Sequence, residues 1–207
     1  MSVRYLPNII ITGTPGCGKT SHAQLLVLQL ASDVPSTIPK GKNQWHHYAV
    51  SDEAKARGCI DLYDARLDTL VVDEDKLLDS LEPDMRKGGA IIDWHCCEVF
   101  PERLIDLVVC LRCDNQLLYD RLKKRDYSDV KIQENLDCEI MEVVAQEARD
   151  LYVPDIVIEL TSNTADEMDD NCDRIGQWVQ QWIADHPEGV TNELQGDHAS
   201  DDSDDDE

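Results

Sequence analysis

Apolar runs punctuate the chain at Asn8–Thr12, Tyr48–Val50, Ala90–Asp93, Leu107–Leu111 and Ile156–Leu160. None of them alternates apolar with polar. A strand that reads as a continuous apolar run is covered on both faces, which marks a parallel sheet. Helical stretches separate the runs, so the pattern predicts a doubly wound α/β sheet with helices on both sides. The clearest helix spans 164–185, where Met168, Cys172, Ile175, Val179 and Trp182 recur at helical spacing and Trp178 and Ile183 widen the stripe. Prolines 35 and 39 and Gly41 break any helix in residues 32–47, which read as a long polar loop, with His46-His47 beside it as a solvated pair.

The first run leads into Gly13-Thr14-Pro15-Gly16-Cys17-Gly18-Lys19-Thr20, and a leucine-rich stretch, Leu25 to Leu30, follows it. Strand, glycine loop and helix in that order form the setting of a phosphate-binding P-loop. Gly13, Gly16 and Gly18 let the backbone curl, so that amides from Cys17, Gly18, Lys19, Thr20 and Ser21 converge on phosphate oxygens. The positive end of the new helix points at the same anion. Lys19 is placed to reach the β- and γ-phosphates, and the Thr20 hydroxyl to meet Mg²⁺. A P-loop also needs an acid on a nearby strand, and Asp93 closes the Ala90–Asp93 run. Asp93 is therefore the second candidate for the Mg²⁺ shell, and His95 a candidate to orient water or phosphate.

Residues 121–125, Arg-Leu-Lys-Lys-Arg, are the densest basic cluster of the chain. Arg121 and Arg125 stand four apart at the end of a predicted helix, which puts both on one side and suggests a clamp on transferring phosphates. Asp126 to Asp129 read as a short lid. The polar, acid-rich stretch from Ser51 to Asp75 reads as the acceptor region, and its acids suit a ribose or an amino group better than a bare phosphate.

Charge changes the picture of partners. The chain has 207 residues and a formal net charge of −24. Seven acids lie in residues 197–207, an expected solvated tail, and without them the body keeps an excess of 17. Such a surface repels nucleic acid, which argues against direct sequence-specific RNA binding, and attracts basic proteins. No apolar run approaches membrane length, so no membrane partner is expected. No signal peptide is evident, and the eight cysteines are expected to be reduced intracellular thiols. Cys110-x-x-Cys113 lies on an apolar strand and reads as core thiols and not as a metal site.

These motifs together resemble a known family. Pro7-Asn8-Ile9 with the P-loop, Val72-Asp73-Glu74-Asp75, Asp93-Trp94-His95, Phe100-Pro101-Glu102-Arg103, Leu111 to Asp114, Leu118 to Leu122 with Arg125, and Glu134-Asn135 with Glu139-Ile140 are similar to the atypical nuclear adenylate kinases, the coilin-interacting nuclear ATPase group. The likeness covers almost all of residues 5–196. It implies a three-layer P-loop NTPase fold, a five-stranded parallel sheet and an adenylate-kinase-like domain over 1–196 with a short lid at about 124–134 and a monophosphate region at about 49–72. The implied ligands are ATP, AMP, ADP and Mg²⁺, with Arg125 contacting ATP from the lid and Thr164, in the loop Ser162-Asn163-Thr164, passing the adenine. The implied activities are ATP:AMP phosphotransfer and ATP hydrolysis. The implied setting is late small (40S) ribosomal subunit maturation, in nucleus and cytoplasm, with a basic small-subunit ribosomal protein on the pre-40S particle as partner. An alternative is an assembly chaperone that uses the nucleotide site as a switch with little turnover. Two departures stand out: the 32–47 loop is long, and Lys55 replaces an Arg found in some relatives, which favours hydrolysis over AMP transfer.

Overall fold

A computed structural model of the chain describes residues 2–65 and 69–193. Residues 66–68 and the acidic tail lie outside the described residues. In chain order the elements are β1 (Val3–Arg4), β2 (Ile9–Gly13), α1 (Lys19–Ser32), β3 (His46–Ala49), α2 (Val50–Ala56), β4 (Ile60–Asp64), β5 (Thr69–Val72) and α3 (Glu74–Met85). There follow β6 (Ala90–Asp93), β7 (Leu107–Arg112), α4 (Asn115–Lys124), α5 (Asp129–Ile140), α6 (Val143–Leu151), β8 (Val157–Thr161), α7 (Ala165–Asp185) and β9 (Val190–Thr191).

The apolar runs form the five-stranded parallel sheet, in the order β3-β6-β2-β7-β8. Ile9, Ile10 and Ile11 are fully buried, which contributes about 2 kcal/mol per side chain. Ile9 and Ile11 pack with Leu26, Leu118 and Ile175 from α1, α4 and α7, while Ile10 packs with Leu77 and Ala148 from α3 and α6. The arrangement is three-layered because each face of the sheet needs a cover. Asn8 ties the floor: its Nδ2 donates to Met85 O and Leu104 O, both at 2.8 Å, and its Oδ1 accepts from Ala90 N at 3.0 Å. The opposite ends of the strands, where open α/β sheets place ligands, are left to the loops.

Three parts differ from the sequence reading. The stretch from Asp33 to Trp45 is not wholly polar in its role, since Ile38 and Trp45 tuck into the core. His46 and His47 are not both solvated: they open β3, and His47 is largely covered. The stretch from Ser51 to Asp75 contains an antiparallel hairpin, β4 with β5, absent from the predicted strands.

Among the described residues no helix is long and apolar enough to cross a membrane.

Candidate active site

The P-loop joins β2 to α1. Gly13 has φ 138°, and a Cβ there would lie 2.5 Å from Leu111 O, so the approach of β2 to β7 demands glycine. Gly18 has φ 91° and opens α1. A Cβ on Gly16 would lie 2.7 Å from Leu118 Cδ1, so α4 packs directly beneath the loop. The Lys19 ammonium folds back on its own loop and donates to Gly13 O at 2.7 Å and Thr14 O at 3.3 Å. Desolvation pulls it down to about 8; Arg125 pushes the same way, and Cys17 and Asp93 oppose.

A cavity of about 430 Å³ opens over this loop. Gly16, Gly18, Lys19, Thr20 and Ser21 line its floor, Asp93, Trp94 and His95 one wall, and Arg125, Tyr127, Lys131 and Asn135 the other. Ser51 of α2 and Thr69 of β5 also line it. Thr20 Oγ1 donates to Asp93 Oδ1 at 3.1 Å. A hydroxyl and a carboxylate side by side in a cavity of this size are hard oxygen donors that suit Mg²⁺ held through waters and phosphate. Desolvation, and then the Lys19 charge, hold the His95 imidazole down to about 4, with Glu147 opposing, so it is neutral at pH 7.

Several named residues sit elsewhere. Arg121 does not line the cavity. Its guanidinium donates to Gly16 O (3.2 Å), Ser162 O (2.9 Å) and Asn163 O (2.8 Å), and lies 3.2 Å from Cys113 Sγ. It stitches the P-loop to the loop after β8 and has no spare face for a transferring phosphate. Arg125 is separated from it because α4 ends at Lys124, so Arg125 is the cap and turns into the cavity. The Cys17 side chain is buried and points away from the cavity floor toward Glu139 Oε2, 3.9 Å off. Thr164 caps α7 by accepting from Glu167 N at 3.1 Å and does not line the cavity. Lys55 is more than half exposed, sits 3.8 Å from Asp52 and also stays outside it. In the segment expected to form a lid, about 124–134, a turn over 125–128 joins α4 to α5. Cys110 and Cys113 are buried free thiols, as the apolar strand around them predicts.

The sequence reading missed His47, whose Nε2 lies 2.5 Å from Asp93 Oδ2, and the contribution of Lys131. Spacing from the Asp126–Asp129 turn would have placed Lys131 on the first turn of α5.

A family model described as an AAA domain matches residues 9–142. Over 196 residues the chain is 63% identical to the adenylate kinase isoenzyme 6 homolog HBR1 of Candida albicans, a match covering 94% of this chain and 77% of that protein. The chain belongs to the adenylate kinase isoenzyme 6 homolog family. A second member, the homolog FAP7 of Saccharomyces cerevisiae, is 51% identical over 203 residues, covering 98% of this chain and 97% of that protein. The homolog of Dictyostelium discoideum is 44% identical over 179 residues, covering 86% and 95% respectively. The match over nearly the full length brings the P-loop kinase fold of the adenylate kinase isoenzyme 6 homologs with it, and with that fold nucleotide kinase or ATPase chemistry.

Proposed function

We propose that the protein is a Mg²⁺-dependent ATPase and adenylate kinase that converts ATP and AMP to two ADP, or hydrolyses ATP where water replaces AMP. One observation carries the reading: Lys19, Thr20 and Asp93 line one cavity together with Arg125 and Lys131. The loop amides and Lys19 bind the phosphates, and Thr20 and Asp93 would hold the metal. When bound, Mg²⁺ neutralises charge on the phosphate oxygens. Arg125 meets the transferring γ-phosphoryl from the lid side, where a guanidinium stabilises charge that grows in the transition state. The bond from the γ-phosphorus to the bridging oxygen breaks as a bond to AMP or water oxygen forms. Neutral His95 accepts a hydrogen bond from the attacking water. The names of the relatives, adenylate kinase isoenzyme 6 homologs, support the AMP reaction. The position of Lys55 outside the cavity favours hydrolysis over transfer.

The same proposal places the protein in small-subunit maturation and late 3′ processing of the small rRNA precursor, in nucleus and cytoplasm, bound to a basic small-subunit ribosomal protein. The support is the net charge of −24, which attracts a basic partner and repels bare RNA. Phosphate release and ADP formation, with and without AMP and with and without the basic protein, test both halves. Turnover that ignores AMP rejects the kinase half. Binding to the basic protein that is indifferent to salt rejects the electrostatic attraction.

A further inference from the structure

We propose that His47 is a positioning residue for Asp93, acting on metal-dependent nucleotide binding from behind the cavity wall. The inference rests on the reading of Thr20 and Asp93 as the metal-binding pair. His47 is outside the P-loop and outside the Asp93-Trp94-His95 segment. It lies on β3, the outer strand of the sheet, and its register partner on β6 is Ile91, while Asp93 is opposite Ala49. His47 and Asp93 are therefore diagonal neighbours on one face of two parallel strands. An imidazole spans that diagonal, and a shorter side chain would not.

The contact completes the anchoring of the carboxylate. Asp93 Oδ1 accepts from Thr20 Oγ1 at 3.1 Å, and Oδ2 accepts from His47 Nε2 at 2.5 Å. A carboxylate only accepts, so Nε2 is the protonated nitrogen in this pair. The χ2 torsion of an aspartate is broad when nothing holds it. With both oxygens bound, the plane of the Asp93 carboxylate is set before any ligand arrives. The Asp93 side chain is 9% exposed and that of His47 17%, so the bond is little weakened by water. His47 does not itself line the cavity, so it reaches nucleotide chemistry only through Asp93. Residues that orient a metal-binding group in this way cost about 10- to 100-fold in metal affinity or activity when removed.

The test compares His47→Leu with His47→Gln in the full chain. The probe is a fluorescent ATP analogue, titrated with MgCl₂ and separately in EDTA, alongside kcat and KM. We expect His47→Leu to raise the Mg²⁺ concentration for half-maximal binding by about 10-fold. Affinity in EDTA should stay within about 2-fold of wild type, since the loop amides and Lys19 are untouched, and kcat should fall more than KM rises. His47→Gln keeps an N–H donor and should recover most of both losses. A wild-type Mg²⁺ titration in His47→Leu overturns the proposal. So does equal loss in both variants with affinity in EDTA falling in parallel, because that pattern is structural damage. Wild-type protein that binds the analogue without any Mg²⁺ dependence removes the metal-site reading itself, a result the variants are not needed to obtain.

Discussion

Glu139 accepts a hydrogen bond from Thr14, Oγ1 to Oε2 at 2.5 Å, between α5 and the P-loop 125 residues away in sequence. Its other oxygen takes Arg112 Nε at 2.8 Å and the Cys113 amide at 3.1 Å. One buried carboxylate thus joins the phosphate loop, the end of β7 and the helix whose first turns line the cavity. Glu139→Gln removes the charge and keeps the shape. Arg112 retains Glu142 and Glu159 at 3.1 and 3.2 Å, so we expect a loss of about 2 kcal/mol and not more. Urea unfolding reads the stability, and ATP-analogue binding should weaken in the same variant.

Arg121 and Arg125 should separate cleanly. Arg121→Ala leaves the carbonyls of Gly16, Ser162 and Asn163 without their donor, a cost of about 2 kcal/mol seen as a lower unfolding midpoint. Arg125→Ala touches no such network and should leave stability within about 0.5 kcal/mol. Its kcat should fall by about 100-fold or more, as for a guanidinium that meets the transferring phosphoryl. A phosphate-release assay beside thermal melts distinguishes the two. Equal kcat losses at equal stability would reject the division of roles.

Lys19→Met should lower turnover by about 100- to 1,000-fold while the fold persists, because the lysine bonds only to carbonyls of its own loop. Circular dichroism confirms the fold. If release of a basic partner protein needs ATP but proceeds normally in this variant, the site works by occupancy and not by hydrolysis. If release stops with turnover, the chaperone-switch alternative loses its ground.

His22 gives a pH signature. Its Nδ1 lies 3.0 Å from Gly18 O and its Nε2 3.3 Å from the Asn171 amide nitrogen, and burial holds it below the usual 6.5. The neutral form is favoured when folded, so the unfolded chain binds more protons once pH drops below 6.5. Stability is therefore full above that pH and declines as pH falls below it. Thermal melts from pH 8 to 5 should show the decline, and His22→Gln should flatten part of it. An unchanged slope in that variant counts against the assignment.

Much of this was readable because the strands are covered on both faces. Asn8–Thr12 and Leu107–Leu111 had to be unbroken apolar runs, and the glycines before Lys19 had to stand where the backbone turns. Asp93 was visible because it ends such a run. The His47 contact was not, since it depends on β3 lying beside β6, and strand order is a property of the assembled sheet. Arg121 misled for a different reason. Helical spacing tells which side a residue leaves the axis, but α4 stops between the two arginines, and loop carbonyls waited beneath one of them. In the hairpin β4–β5 only Ile60 and Val72 pack against the core, while Leu62 and Tyr63 are about half exposed, so no regular burial pattern marked it.

The short ladder between Val3–Arg4 and Val190–Thr191, locked by Arg4 to Asp106 at 2.8 Å and to Asn192 at 2.6 Å, has a practical meaning. These two segments meet beneath the sheet, remote from the phosphate loop. A short peptide tether put in place of residues 194–207 would join two segments that already lie side by side. Reporter proteins attached beside either segment would hang from the underside and leave substrate entry clear.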